Sequence, residues 1–221
     1  MVNLFTALKQ GTHASHETLE NTYPFIMYHG DNVFDFSVYQ HVLLVMYRFH
    51  ACVSQSLMNT SASSDTIAAL AKHIDHSSVI NAIKSDVLQV HAIHNEKDEQ
   101  PLLSLLAEQT PGDLSPFNSN TSCCIAGLYV WLGSSMGANI IVRRLSSNKP
   151  SPPTNYYSAM AQCARSWVSF KQDVDALVPL LLEENSQAIE HIVEDANIWF
   201  SYLISLGTSQ NTVKSALAVE S

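Results

Sequence analysis

Apolar positions along this chain recur at spacings of three and four, and no stretch alternates with period two, so the pattern predicts helices throughout. Leu4, Leu8, Ser15 and Leu19 give one apolar or small face to a first helix over Val2–Asn21. Pro24 and an HGDN turn at His29–Asn32 end that region. Asp35 or Ser37 can cap a second helix, which carries Tyr39, Leu43, Met46, Tyr47 and Phe49 and runs to about Leu57. After the polar stretch NTSASSD at Asn59–Asp65, Ser64 or Asp65 can cap TIAALAKHI. Val79, Ile80, Ile83, Val87 and Val90 form the inner side of Ser77–His94. Lys97–Pro101 is a break, Leu102–Gln109 a short helix and Thr110–Thr121 a loop rich in Pro, Gly, Asn and Ser. A long apolar helix covers Cys123–Leu145, and three prolines in SSNKPSPPT stop it. Asn155–Leu182 follows, with Pro179 ending or kinking it. The last helix is Glu183–Leu206, with Gly207 as its C-cap and a mobile tail beyond. These elements make one all-α domain over residues 1–206, with residues 207–221 as the tail.

Composition narrows the function. A chain of 221 residues with 46% apolar and 14% charged residues can bury a sizeable core. Its formal charge of −9, with only 11 Lys and Arg, argues against a nucleic-acid partner. Four cysteines without metal-ligand spacing read as reduced thiols of a cytoplasmic protein. The N-terminus lacks an apolar signal core, and no apolar run reaches membrane-spanning length.

The chemistry centres on LYVWLGSSMGANIIVRRL, Leu128–Leu145. Gly133 and Gly137 lie one turn apart there, with Ser134, Ser135 and Ala138 beside them. Each interior glycine costs a helix about 0.5–1 kcal/mol relative to alanine. The pair implies a flat object against the backbone, a bend, or a close helix–helix crossing. On the first helix, Thr12, His16 and Glu20 form a column, and Glu20 can accept from the unligated nitrogen of a metal-bound His16. Lys9, two turns before His16, can reach an anionic group. Alone, His16 reads as a surface or half-buried histidine, as do the other histidines. A di-iron site needs paired Glu-x-x-His segments, and beyond His13, His16 and Glu17 no second helix supplies a matching set. Phosphate-binding and nucleophile-elbow motifs are absent.

LKQGTHASHETLE at Leu8–Glu20 resembles the proximal-helix motif of the heme oxygenases, and Leu128–Leu145 resembles their glycine-bearing distal helix. Tyr129, Ser134 and the paired arginines are most similar to the bacterial, biliverdin-producing branch associated with bacteriophytochromes, and WVSF at Trp167–Phe170 fits that branch's penultimate helix. The resemblance implies a single-domain heme-oxygenase-like helical bundle with heme b as both cofactor and substrate. Its ring would be cleaved with O2 to biliverdin, CO and ferrous iron. Electrons would come from an external ferredoxin or NADPH-dependent reductase. His16 would be the iron ligand, with Glu20 its hydrogen-bond partner and Thr12 and Tyr129 beside the ring. Lys9 and Lys171 would meet propionates, with Arg143 and Arg144 further candidates and Arg144 read first as a solvated charge. Gly133, Ser134 and Gly137 would form the distal, catalytic surface. Three departures from the pattern stand out. Ala138 replaces the second glycine of a pair and would put a methyl near the heme, Leu132 replaces a carboxylate, and Ser134 stands where animal-type enzymes have aspartate. A proton relay would then rest on Ser134, Asn139 or backbone carbonyls. A heme carrier or sensor on the same fold is the alternative.

Overall fold

The computed structural model describes residues 3–28, 34–93 and 116–219, with residues 210–219 as backbone alone. The described residues form helices and connecting turns with no strand, as the periodicity predicts. The expected HGDN turn, the break at Lys97–Pro101 and the short helix at Leu102–Gln109 lie outside them.

The predicted first helix is two: α1 (Leu4–Gly11) and α2 (His13–Glu20), divided at Thr12. Thr12 is buried and donates its hydroxyl to the Leu8 carbonyl at 2.7 Å. This back-bond competes with the regular ladder. Gly11, one residue earlier, lies where any Cβ would collide with Val193. A short 3-10 turn follows at Phe25–Tyr28.

Helix α3 (Phe36–Ser61) starts at Asp35, whose carboxylate accepts from the Ser37 and Val38 amides, and it runs a turn past the predicted end. Ser64, not Asp65, caps α4 (Asp65–Ala71). On α5 (His76–Ile93) the inner face also buries Asp86 completely. The Asp86 carboxylate accepts from the Asn155 side chain at 2.7 Å and the Tyr156 amide at 2.8 Å. It therefore holds the start of a distant helix, which no local sequence signal announces.

The long apolar helix is also two. Ser119 caps α6 (Asn120–Ser135), which ends before Met136, and α7 (Ala138–Ser146) leaves at about 40°. The predicted Asn155–Leu182 helix divides into α8 (Asn155–Cys163) and α9 (Trp167–Glu184), joined by a 3-10 turn, and Pro179 sits inside α9. The last helix, α10 (Ala188–Val219), continues through Gly207. That glycine is not a C-cap. A Cβ there would stand 2.6 Å from the Tyr23 carbonyl, so its role is close packing.

Helix α6 is buried on nearly every side and packs on α3, α8 and α10. Trp199 of α10 donates its indole N–H to the Cys123 carbonyl at 3.1 Å. Buried Asp195 accepts from Ser122 at 2.6 Å and from the Asn118 amide at 3.0 Å, fixing the entry to α6. All four cysteines are free and buried. No single helix among the described residues is long and apolar enough to cross a membrane.

Candidate functional site

The two breaks frame one cavity of about 700 Å³. Helices α1 and α2 supply Lys9, Thr12, His13, His16, Leu19 and Glu20 to its wall. The α6–α7 junction supplies Tyr129, Gly133, Ser134, Met136, Gly137 and Ile140. Met46 and Phe49 of α3, Tyr156, Tyr157 and Met160 of α8, and Phe200 and Leu203 of α10 complete an apolar interior.

The division at Thr12 gives α2 its own axis, and His16 stands on it, half exposed into this space. Its Nδ1 lies 3.6 Å from a Glu20 carboxylate oxygen, and its ring meets Phe200 edge-on at 5.8 Å. Nε2 has no protein partner among the described residues, so it is the nitrogen free to ligate. A carboxylate beside Nδ1 fixes the tautomer this requires.

The glycines answer the question raised by their spacing. A Cβ built on Gly133 or Gly137 meets nothing within 4 Å. A helix crossing is therefore not their purpose. They leave bare main chain facing open cavity, and the chain also bends between them. The close-packing glycine of this helix is Gly127, whose Cβ would stand 3.1 Å from Val53 and 3.2 Å from the Trp199 indole nitrogen.

Tyr129 lies 3.5 Å from the Thr12 hydroxyl, linking α6 to the α1–α2 break. Ser134 donates its hydroxyl hydrogen to the Trp131 carbonyl at 2.7 Å. Only its lone pairs are left for anything in the cavity. Asn139, the other side chain considered for proton relay, is exposed and does not line the cavity.

Of the residues singled out by sequence, the cavity brings together Lys9, Thr12, His16, Glu20, Tyr129, Gly133, Ser134 and Gly137. It does not take in Ala138 or Lys171. Ala138 is fully buried, because the break at Met136–Gly137 turns the first residue of α7 toward the core. The expected methyl near a bound ring is therefore not in the cavity wall. Lys171 lines an adjoining cleft with Asn3, Phe5, Lys9 and His13, and its ammonium lies 5.5 Å over the Trp167 ring. Arg144 is exposed, as expected of a solvated charge, and it also lines the cavity and donates to the Tyr28 carbonyl.

Sequence reasoning missed the tyrosine wall. Tyr157 donates to the Tyr28 hydroxyl at 2.6 Å, and Tyr156 lies 3.1 Å from Nε2 of buried His50. The paired tyrosines directly after the proline-rich break were the available signal. Nothing local marks Tyr28 as their partner. Among the described residues no cluster of three or more His, Cys, Asp or Glu can hold a metal, which leaves the di-iron arrangement without a ligand set.

The described helices have the all-α fold of the heme oxygenases. The structural likeness is to heme oxygenase-1 from the cyanobacterium Synechocystis, in complex with heme, with a TM-score of 0.61 and 16% sequence identity over 99% of this chain and 97% of that one. No protein-family model and no curated protein matches the sequence.

Proposed function

We propose that this protein binds heme between α2 and the α6–α7 junction and cleaves it with dioxygen to biliverdin, CO and ferrous iron, using electrons from an external ferredoxin or reductase. One observation carries the reading. An imidazole with a free Nε2 and two glycines with nothing in front of them face the same apolar cavity. These residues fit a flat iron macrocycle: a side chain at Gly133 or Gly137 would fill the space a ring needs, and neutral imidazole suits iron. The heme in the Synechocystis structure supports the same ligand.

When bound, heme supplies both the centre that activates dioxygen and the carbon that is oxidised. The chain's own residues do the rest. His16 would ligate through Nε2, with Glu20 holding the ring orientation through Nδ1. Lys9 at the edge would meet a ligand carboxylate, with His13 beside it. The bare main chain at Gly133 and Gly137 lets the ring approach closely and narrows the space above it. Phe49, Met46, Phe200 and Leu203 exclude water. The resemblance to the bacterial branch makes a bacteriophytochrome the proposed consumer of the product.

A second reading has a specific observation behind it. The Ser134 hydroxyl hydrogen is committed to its own helix and Asn139 faces away, so the glycine side offers few proton donors. A heme carrier or sensor needs none. Reconstitution with heme followed by ascorbate or a reductase in air separates the two. Loss of the Soret band with bilin absorption and CO release supports the enzyme. A stable ferrous–oxy spectrum contradicts it and supports the carrier.

A further inference from the structure

Tyr28, Tyr129, Tyr156 and Tyr157 line the cavity, and among the described residues Tyr156 is the one of them hydrogen-bonded to an imidazole. Its hydroxyl lies 3.1 Å from Nε2 of His50, a fully buried residue just outside the cavity lining. Nδ1 of His50 is buried with no hydrogen-bond partner. Were Nε2 the donor, both Nδ1 and the Tyr156 hydrogen would lack a partner among the described residues. With Tyr156 donating to Nε2, only the Nδ1–H does, and that is the less costly arrangement. The phenol therefore points its proton at a nitrogen lone pair. Burial lowers this imidazole to about 3, so at neutral pH the nitrogen is unprotonated and open to a proton. Burial also keeps the Tyr156 phenol protonated.

We propose that Tyr156 and His50 form a redox-active pair that drains oxidising equivalents from the cavity. A one-electron oxidant seated there takes an electron from the Tyr156 ring. The phenolic O–H bond breaks and an N–H bond forms at His50 Nε2, leaving a neutral tyrosyl radical and an imidazolium. The oxidant is reduced by one electron. Its class is heme iron oxidised by a hydroperoxide, so the proposal rests on heme occupying the cavity and not on its cleavage. An electron from the external reductase and the proton returned from Nε2 restore the phenol. The geometry selects Tyr156 over its neighbours. A phenol that has lost an electron is a far stronger acid than an imidazolium, and without a base beside it the positive charge would stay in an apolar wall. Tyr157 donates only to the weakly basic Tyr28 oxygen. Tyr23 also pairs with an imidazole, lying 3.1 Å from His41 Nδ1, but it does not line the cavity. Trp131, whose ring centroid lies 3.9 Å from that of His50, does not line it either. Met46, Met136 and Met160 stand in the same wall, and their thioethers are what an undrained oxidant would attack.

The test loads the whole chain with ferric heme, records occupancy from the Soret band, adds hydrogen peroxide and freezes samples for electron paramagnetic resonance. Wild type should give a tyrosyl radical, and its formation should slow in D2O because the phenolic proton moves with the electron. Tyr156→Phe should lose this signal per bound heme. In His50→Phe the radical should form about a hundredfold more slowly, the low end of what a positioned base contributes. Tyr23→Phe, which removes the imidazole-paired phenol away from the cavity, should leave the signal unchanged. A signal that persists in Tyr156→Phe, disappears in Tyr23→Phe, forms equally fast in His50→Phe or ignores D2O overturns the pair. Heme uptake without a tyrosyl radical overturns this proposal alone. A wild type that takes up no heme overturns it together with the heme reading.

Discussion

At the scale of single residues, the glycines divide into two kinds with opposite predicted behaviour. Gly133 is a helix-interior glycine with open space in front of it. Gly133→Ala should therefore raise stability by about 0.5–1 kcal/mol, the ordinary helix-propensity gain. Gly127→Ala must push Val53 and the Trp199 indole aside, and should cost about 1–3 kcal/mol by overpacking. Thermal denaturation of the two variants checks the pair; a loss at Gly133 comparable with that at Gly127 would mean its surroundings are not open. Gly133→Leu should keep the fold and abolish the Soret shift on adding heme. His50 makes a separate prediction. Burial lowers its imidazole from 6.5 to about 3, so it is neutral in the fold, whereas the unfolded chain takes up a proton below 6.5. Its contribution is fully present above pH 6.5 and is lost as pH falls toward 3. Between pH 6.5 and 5 it amounts to about 2 kcal/mol. Urea denaturation at those two pH values should show the drop, and His50→Phe should flatten that part of the slope; an equal slope in the variant would refute it.

At the scale of elements, the site exists because two predicted helices are each divided. The division at Thr12 gives His16 its own short helix, and the one at Met136–Gly137 bends bare main chain toward the cavity. Helical spacing was legible for every long segment, and Asp35 and Ser64 are the caps that local residue types suggested. The breaks were less so. Thr12 is only slightly off helical geometry, at φ −104° and ψ 0°, and its cause lies in a back-bond and in Val193, nearly the whole chain away. Gly207 shows the same limit: a glycine near a helix end suggests a cap, while Tyr23 and Pro24 packed against it are invisible locally. Asp86 is the clearest case of long-range order, since a helix-interior carboxylate holds the start of α8. Asp86→Ala leaves buried amides unpaired and should cost about 2 kcal/mol, loosening the Tyr156–Tyr157 wall with it. Denaturant unfolding measures this; a variant as stable as wild type would show that α8 starts without the carboxylate.

At the scale of the whole molecule, one bundle arrangement is shared with the cyanobacterial structure at 16% identity, so packing pattern rather than residue identity carries the fold. The site was legible where one helix holds the information, as in the Thr12–His16–Glu20 column and the glycine pair. It was hidden where distant elements meet, as at Tyr28 and Tyr157. The four thiols are also set by global packing. Burial raises each of them, Cys123 to about 12, so a disulfide reagent should label none in the native state and all four after denaturation. Fast labelling of the native protein would contradict the packed core around α6. The most direct test of the central claim is a heme titration of wild type and His16→Ala followed by absorption spectroscopy. The account predicts one heme per chain, with a ferric Soret spectrum in wild type that the variant cannot reproduce. A wild type that leaves the heme spectrum unshifted, or a variant whose spectrum is identical to it, would contradict the account.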